Sequence, residues 1–184
     1  MYDVSRSDFE SRNTEETVTC LQITIYHPKH DEKKVFQALE FCHELQLKAD
    51  DVVKFGRDSN ICRFHFVDSR VSRVQFGLHF FRHFHRSEFG FEIKNLSKRV
   101  TLYVDGVELA YLNKVDLPDQ CMVCFGEYQM QLKKQEGQCG DYFNICFELA
   151  RTPLLQENNL FLKKPVCESS SSYTQFPTEM DEDE

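Results

Sequence analysis

Residues 55–76 read FGRDSNICRFHFVDSRVSRVQF. Cys62, Phe64 and Phe66 alternate with polar or charged neighbours, and Val74 and Phe76 resume the alternation after Asp68-Ser69-Arg70. Apolar residues at period two place one face of a strand on a core and leave the other to solvent. Charge interrupts the pattern at two places, Gly56-Arg57 at its start and Ser72-Arg73 just before its last apolar run. A core strand needs neither pair. Two cationic breaks at neighbouring strand ends therefore raise the question of what they serve.

The same alternation extends outward in both directions. TCLQITIY puts Leu21, Ile23 and Ile25 on one face, and ADDVVKFG is a short apolar run. SRVQFGLHFF continues through Leu78 and Phe80, and EFGFEIKN aligns Phe89, Phe91 and Ile93. VTLYVDGVELAYL holds Asp105-Gly106 between two alternating runs, a strong hairpin signal. CMVCFGEYQMQL and FNICFELA close the series. About ten short strands separated by turn residues predict an all-β sandwich. The stretch VFQALEFCHE is compatible with a short helix, and its periodicity leaves that open. Beyond Arg151 the alternation stops. RTPLLQENNLFLKKPVC fits an arm packing on the domain, and ESSSSYTQFPTEMDEDE is too poor in apolar residues to form a core, so disorder is expected there. The expected organisation is an arm over 1–16, a sandwich over 17–150 and a C-terminal arm and acidic tail over 151–184.

At 184 residues the chain is long enough for one domain with a substantial core. Its aromatic share rests on 17 Phe, with no Trp, which suits pleated half-buried surfaces. The opening MYDVSRSDFESR lacks the apolar segment of a signal peptide, and no run is long enough to span a bilayer. A cytoplasmic location is expected, and with it eight reduced Cys rather than a disulfide framework. The formal charge of -8 belongs to the ends: residues 1–16 carry five acids and two bases, and residues 168–184 carry six acids and no base. The body is left at about +1, neither an acidic surface nor a basic footprint for nucleic acid.

Gly56-Arg57 and Ser72-Arg73 lie one strand and two turns apart, which places them at the same end of a sandwich. A third loop, Lys94-Asn95-Leu96-Ser97-Lys98-Arg99, follows the next strand. If the three converge, they bring together Arg57, Ser72, Arg73, Lys94, Asn95, Lys98 and Arg99. Guanidinium forks match phosphate oxygens, with hydroxyl, amide and ammonium donors completing the cage. Loops at the end of a rigid scaffold suit recognition rather than chemistry.

This ordered set resembles the forkhead-associated domain family, β-sandwiches that bind phosphothreonine. The family pattern is Gly-Arg, then Ser-x-x-His, then Asn-x-Ser-x-Asn-Gly. Gly56-Arg57 matches it, Ser72-Arg73-Val74-Gln75 matches with Gln75 in place of the His, and Asn95-Leu96-Ser97 begins the third motif before Arg99-Val100 replace its Asn-Gly. The replaced Asn helps hold peptide in the family, so Lys94, Lys98 or Arg99 are expected to supply donors instead. TEETVTCLQITIYHP, VVKFGRDSNIC, YLNKVDLP, CMVCFGEYQ, PLLQENN and PTEMDE further resemble a signalling branch of this family whose members recruit TNF receptor-associated factors.

That resemblance implies an adaptor of innate immunity that acts toward NF-kappa-B, without an enzymatic activity or cofactor. Thr14 is implied as the phosphorylated residue, modified by an upstream alpha-kinase and bound by the sandwich of a neighbouring molecule. The implied unphosphorylated state is a dimer, and phosphorylation drives higher oligomers. Pro177, Glu179 and Glu182 resemble the Pro-x-Glu-x-x-acidic peptide taken by a TNF receptor-associated factor ubiquitin ligase. Two alternatives remain open at the level of residues. The pocket could read a phosphothreonine on a different protein. Cys121 and Cys124 could instead mark a thiol or zinc enzyme. Zinc needs three or four converging ligands, and residues three apart on a strand face opposite sides, so buried thiols are expected. His79, His83 and His85 fit an exposed strand edge and loop in the same way.

Overall fold

The computed structural model describes residues 16–84 and 88–155. Thr14, His85, Pro177, Glu179 and Glu182 lie outside them. In chain order the elements are β1 (Thr19–Tyr26), α1 (His30–Lys33), β2 (Glu44–Lys48), β3 (Val53–Gly56), β4 (Phe64–His65), β5 (Phe76–Arg82) and β6 (Phe89–Asn95). They continue with β7 (Leu102–Val104), β8 (Val107–Leu109), β9 (Lys114–Asp116), β10 (Gln120–Phe125), β11 (Tyr128–Gln135) and β12 (Tyr142–Leu149). The strands form two sheets, ordered β2-β12-β1-β11-β10-β7-β8 and β4-β3-β5-β6-β9. All pairings are antiparallel except β1 with β12 and β3 with β4.

The architecture is the expected all-β sandwich, with β2 and β9 beyond the strands named from sequence. Both are sheet edges. β9 is wholly exposed, so it carries no alternation to detect. VFQALEFCHE is not helical: residues 35–38 form consecutive turns, and Cys42 has φ 61°. Val35, Phe36 and Leu39 from this stretch fill the core, at a spacing that imitates a helix face. Asp105 and Gly106 both take positive φ, 48° and 79°, as the tight β7–β8 hairpin requires.

Leu21, Ile23 and Ile25 of β1 face the second sheet together with Phe143, Ile145 and Phe147 of β12. Phenylalanine joins the layers: Phe80 stacks on Phe143 at 4.9 Å and Phe64 meets Phe147 edge-on at 4.8 Å. Fully burying such a side chain is worth roughly 1.5–3 kcal/mol, so this aromatic interior fixes the relation between the two sheets. Cys121 faces this interior from β10 while Cys124 is half-buried on the other side of the same strand. After β12, the amides of Leu154 and Leu155 both donate to Gln129 Oε1 at 2.8 and 3.0 Å, tying the start of the C-terminal segment to β11.

Candidate functional site

The loops after β3, before β5 and after β6 meet at one end of the five-stranded sheet. Backbone hydrogen bonds fix the first two to each other. The Arg57 amide donates to the Ser72 carbonyl at 3.0 Å, and the Asp58 amide donates to the Arg73 carbonyl at 3.1 Å. This close approach requires glycine at position 56: a Cβ there would lie 2.3 Å from the Arg73 carbonyl oxygen. The third loop joins through Gln75, whose carbonyl accepts from the Leu96 amide at 3.0 Å and whose Nε2 donates to the Val100 carbonyl at 3.1 Å. Gln75 is fully buried, so it holds the loops from beneath.

Between these loops lies a cleft of about 560 Å³, lined by Arg57, Ser72, Arg73, Lys98 and Arg99 over a floor that includes Ile61, Val74 and Leu96. Lys94 and Asn95 are not on its wall. Asn95 points into the protein, as the alternation Phe91, Ile93, Asn95 along β6 dictates. Its Nδ2 donates to the Leu109 carbonyl at 2.8 Å and its Oδ1 accepts from the Ser97 amide at 2.9 Å, which fixes the turn that carries Ser97. Lys94 falls on the opposite face of β6, between Gly77 and Lys114 in register.

Ser97 completes the arrangement. It is buried, and its Oγ accepts from the amides of Arg99 at 3.2 Å and Val100 at 2.9 Å. A hydroxyl has two acceptor sites and one proton. With both acceptor sites occupied, Ser97 gives its proton to Ser72 Oγ, 2.6 Å away. Ser72, which lines the cleft, then has its own proton free to donate to a ligand there. The third motif contained Ser97, but sequence alone did not distinguish a donor from the residue that aims it.

The cationic side chains are unspent. Among the described residues, Arg57, Arg73 and Arg99 form no ion pair, and Lys98 Nζ sits 4.9 Å above the Tyr111 ring. The cleft can therefore hold a dianionic oxyanion: Arg57, Arg73 and Ser72 act on one wall, while Lys98 and Arg99 act on the other.

The chain enters the fold on the seven-stranded sheet, beside the end of β6 that lies away from the cleft. Thr17 accepts from the amides of Gln138 and Cys139 through its carbonyl, beside Glu88, Phe89 and Glu136. Thr17 is exposed and precedes β1, whereas Thr19 is buried. β6 runs from Phe89 at this end to Asn95 beneath the cleft, a span of about 20 Å at 3.3 Å per residue.

Cys121 and Cys124 lack the environment of reactive thiols. Burial pushes Cys121 up to about 12 and Cys124 up to about 11, with Asp105 adding to both. Both thiols stay protonated near neutral pH, and the thiolate is the nucleophile and the ligand. Among the described residues no group of three or more His, Cys, Asp or Glu is placed to hold a metal. His79 and His83 belong to β5 and the loop after it; because β5 lies between β3 and β6, His79 sits on a sheet face rather than at a strand edge. No helix among the described residues is long and apolar enough to cross a membrane.

No family model matches the chain. Among individual proteins, it is 50% identical over 183 residues to the TRAF-interacting protein with FHA domain-containing protein A of Rattus norvegicus and equally to that of Homo sapiens, covering 97% of this chain and 99% of each relative. The protein B counterpart of Mus musculus is 27% identical over 143 residues, 77% of this chain and 92% of that one. Among solved structures, the FHA domain of CT664 protein from Chlamydia trachomatis aligns with a TM-score of 0.43 and 13% identity, over 61% of this chain and 95% of that one. The MEK1 FHA domain aligns with a TM-score of 0.40 and 19% identity, over 47% and 71%.

Proposed function

Because this chain belongs to the family of TRAF-interacting proteins with a forkhead-associated domain, we propose that it is a signalling adaptor whose cleft captures phosphothreonine 14 of a neighbouring molecule. The observation that carries this reading is the cleft, where Arg57 and Arg73, without an ion pair among the described residues, stand on one wall with the Ser72 hydroxyl. A phosphothreonine brings about -1.5 to -2 charges and three acceptor oxygens. Asn95 and Ser97 position this machinery from below, and Lys94 lies on the opposite face of β6.

Capture within one molecule is opposed by the short reach of the arm. Thr14 lies three positions ahead of Thr17, a reach of about 10 Å, whereas the cleft is about 20 Å from that entry point along β6. Thr14 therefore binds another copy. Such a contact joins different surfaces of two molecules and propagates unless it closes into a ring. Joined to a dimer, each phosphorylated arm links dimers into larger assemblies.

Assembly supplies the output. The relatives are named for interaction with TRAF proteins, and Pro177, Glu179 and Glu182 form the acidic Pro-x-Glu peptide proposed to bind a TNF receptor-associated factor ubiquitin ligase. A short extended peptide of this kind adds to a sheet edge with its side chains in pockets. Clustering many tails raises avidity by about 10²- to 10⁴-fold over one. Phosphorylation by an upstream alpha-kinase is thereby converted into ligase clustering toward NF-kappa-B in the cytoplasm.

Light scattering of the full chain with and without phosphorylation at Thr14, beside Arg57→Ala, tests the reading. Growth into large assemblies that Arg57→Ala abolishes is the expected result. Unchanged size on phosphorylation would sink self-assembly through Thr14 and transfer the cleft to a phosphothreonine on another protein.

A further inference from the structure

The cleft carries more positive charge than a phosphate can use. Arg57, Arg73, Lys98 and Arg99 line it, against a phosphate of about -1.5 to -2. Asp58, the acid on the Arg57 loop, has its Oδ1 engaged by the Asn60 amide at 3.0 Å. Even counting Asp58 in full, about one positive charge remains after a phosphate is bound.

The two walls also differ in construction. Arg57, Ser72 and Arg73 are locked together by the hydrogen bonds between their two loops, and this wall holds the Ser72 hydroxyl. Lys98 and Arg99 stand across the Ser72–Ser97 contact, exposed, on the loop that Ser97 shapes. We propose that Lys98 and Arg99 select acidic residues immediately C-terminal to the bound phosphothreonine, while Arg57, Ser72 and Arg73 take the phosphate. This rests on the cleft being a phosphothreonine site and goes beyond it by assigning the flanking sequence.

The chain itself contains the matching ligand. It has eight threonines, and Thr14 is the one followed by two acids, Glu15 and Glu16. Thr178 is followed by Glu179 and Met180, and the remaining six have no acid in the next two positions. Charge selection at the second wall therefore picks Thr14 out of this chain's own threonines and ranks Thr178 behind it.

Fluorescence anisotropy with the full unphosphorylated chain tests this with two pairs of phosphothreonine peptides. The first pair spans residues 8–20, with Glu15-Glu16 or with both replaced by Gln. The second pair has an unrelated sequence, with Glu-Glu or Gln-Gln after the phosphothreonine. The Gln peptide of each pair should bind about fivefold more weakly, the scale of two exposed ion pairs, and the gap should close near 1 M salt. Lys98→Ala/Arg99→Ala should reduce the gap to under twofold while still preferring phosphorylated over unphosphorylated peptide. A matching melting temperature establishes that this double variant is folded. Equal binding within both pairs overturns the proposal, as does a gap that survives in the double variant. If only the unrelated pair binds and shows the gap, acidic selection stands and Thr14 as ligand falls. If no phosphothreonine peptide binds, both readings fall.

Discussion

Arg70 and Arg73 are three residues apart on the same loop, and their charges have opposite fates. Arg70 donates from Nε and Nη2 to the two Asp68 oxygens at 3.2 and 3.1 Å, and Nη1 contacts Glu127. Asp68 also accepts from Tyr128 Oη at 3.1 Å, and the fully buried His27 ring lies against the same group. Around the cleft, Arg57, Arg73 and Arg99 have no anionic partner among the described residues. An arginine enclosed by carboxylates has nothing left to offer a ligand. An arginine left beside two others is held in a repulsive arrangement that an incoming dianion relieves. On the proposed function the first cluster serves stability and the second recognition, although one loop contributes to both.

The largest expected effect breaks both together. Gly56→Ala drives a Cβ onto the Arg73 carbonyl, a backbone atom that cannot rotate away. The two loops must separate, which costs about 3 kcal/mol. At about 2–4 °C per kcal/mol for a domain of this size, melting should fall by roughly 6–12 °C, with phosphopeptide binding lost alongside. Next, paired substitutions should separate the clusters. Arg57→Ala should weaken phosphothreonine peptide binding by about 100-fold at an unchanged melting temperature, since it truncates one partner of a charged hydrogen-bonded contact. Arg70→Ala should do the reverse, lowering the melting temperature while preserving affinity. Calorimetric titration and thermal melts on the same preparations read both, and loss of affinity in Arg70→Ala would erase the distinction. Asp68→Ala is a smaller perturbation. It leaves the buried Tyr128 hydroxyl without its acceptor, at about 1–3 kcal/mol, visible as an earlier denaturation midpoint with peptide affinity intact.

The recognition cluster was partly legible in the sequence because its residues break a strand pattern. Gly56-Arg57 and Ser72-Arg73 interrupt alternation that otherwise runs cleanly, and the core runs through Phe76, Leu78, Phe80, Phe91 and Ile93 lie where period two places them. The same period carries Asn95 inward and Lys94 outward, a consequence that motif order alone hides. The aiming of Ser72 by Ser97 depends on a contact across 25 residues, and no local pattern encodes it. The stability cluster was not legible at all. His27, Asp68, Arg70 and Glu127 come from three separate turns, each of which reads locally as an ordinary solvent-facing turn. The edge strand β2 was hidden for another reason: its two half-buried leucines, Leu45 and Leu47, follow turns whose apolar spacing imitates a helix.

The finest difference between the clusters is their response to pH. The Lys29 amide donates to His27 Nδ1 at 3.1 Å, so the neutral ring keeps its proton on Nε2, which lies 3.3 Å from Arg70 Nη2 and 3.8 Å from Glu127. Burial lowers the pKa of His27 most; Arg70 and Lys33 lower it further, while Glu127 and Asp68 oppose them. The folded ring therefore holds its proton less tightly than the unfolded one, whose pKa is near 6.5. Below that value the unfolded state binds more protons, so stability falls as pH drops and is independent of this group above about pH 7. The slope is bounded at about 1.4 kcal/mol per pH unit, and a loss of stability between pH 7 and 5.5 is expected. The carboxyls of Asp68 and Glu127 are held below their usual range, so their contribution is lost only at lower pH and does not overlap this window. Urea denaturation of the unliganded protein across pH 5–7.5 measures the slope free of the phosphate's own titration. His27→Gln should flatten it, and a slope that persists in that variant would detach the pH response from the buried ring and leave the closed cluster without a titrating member in this range.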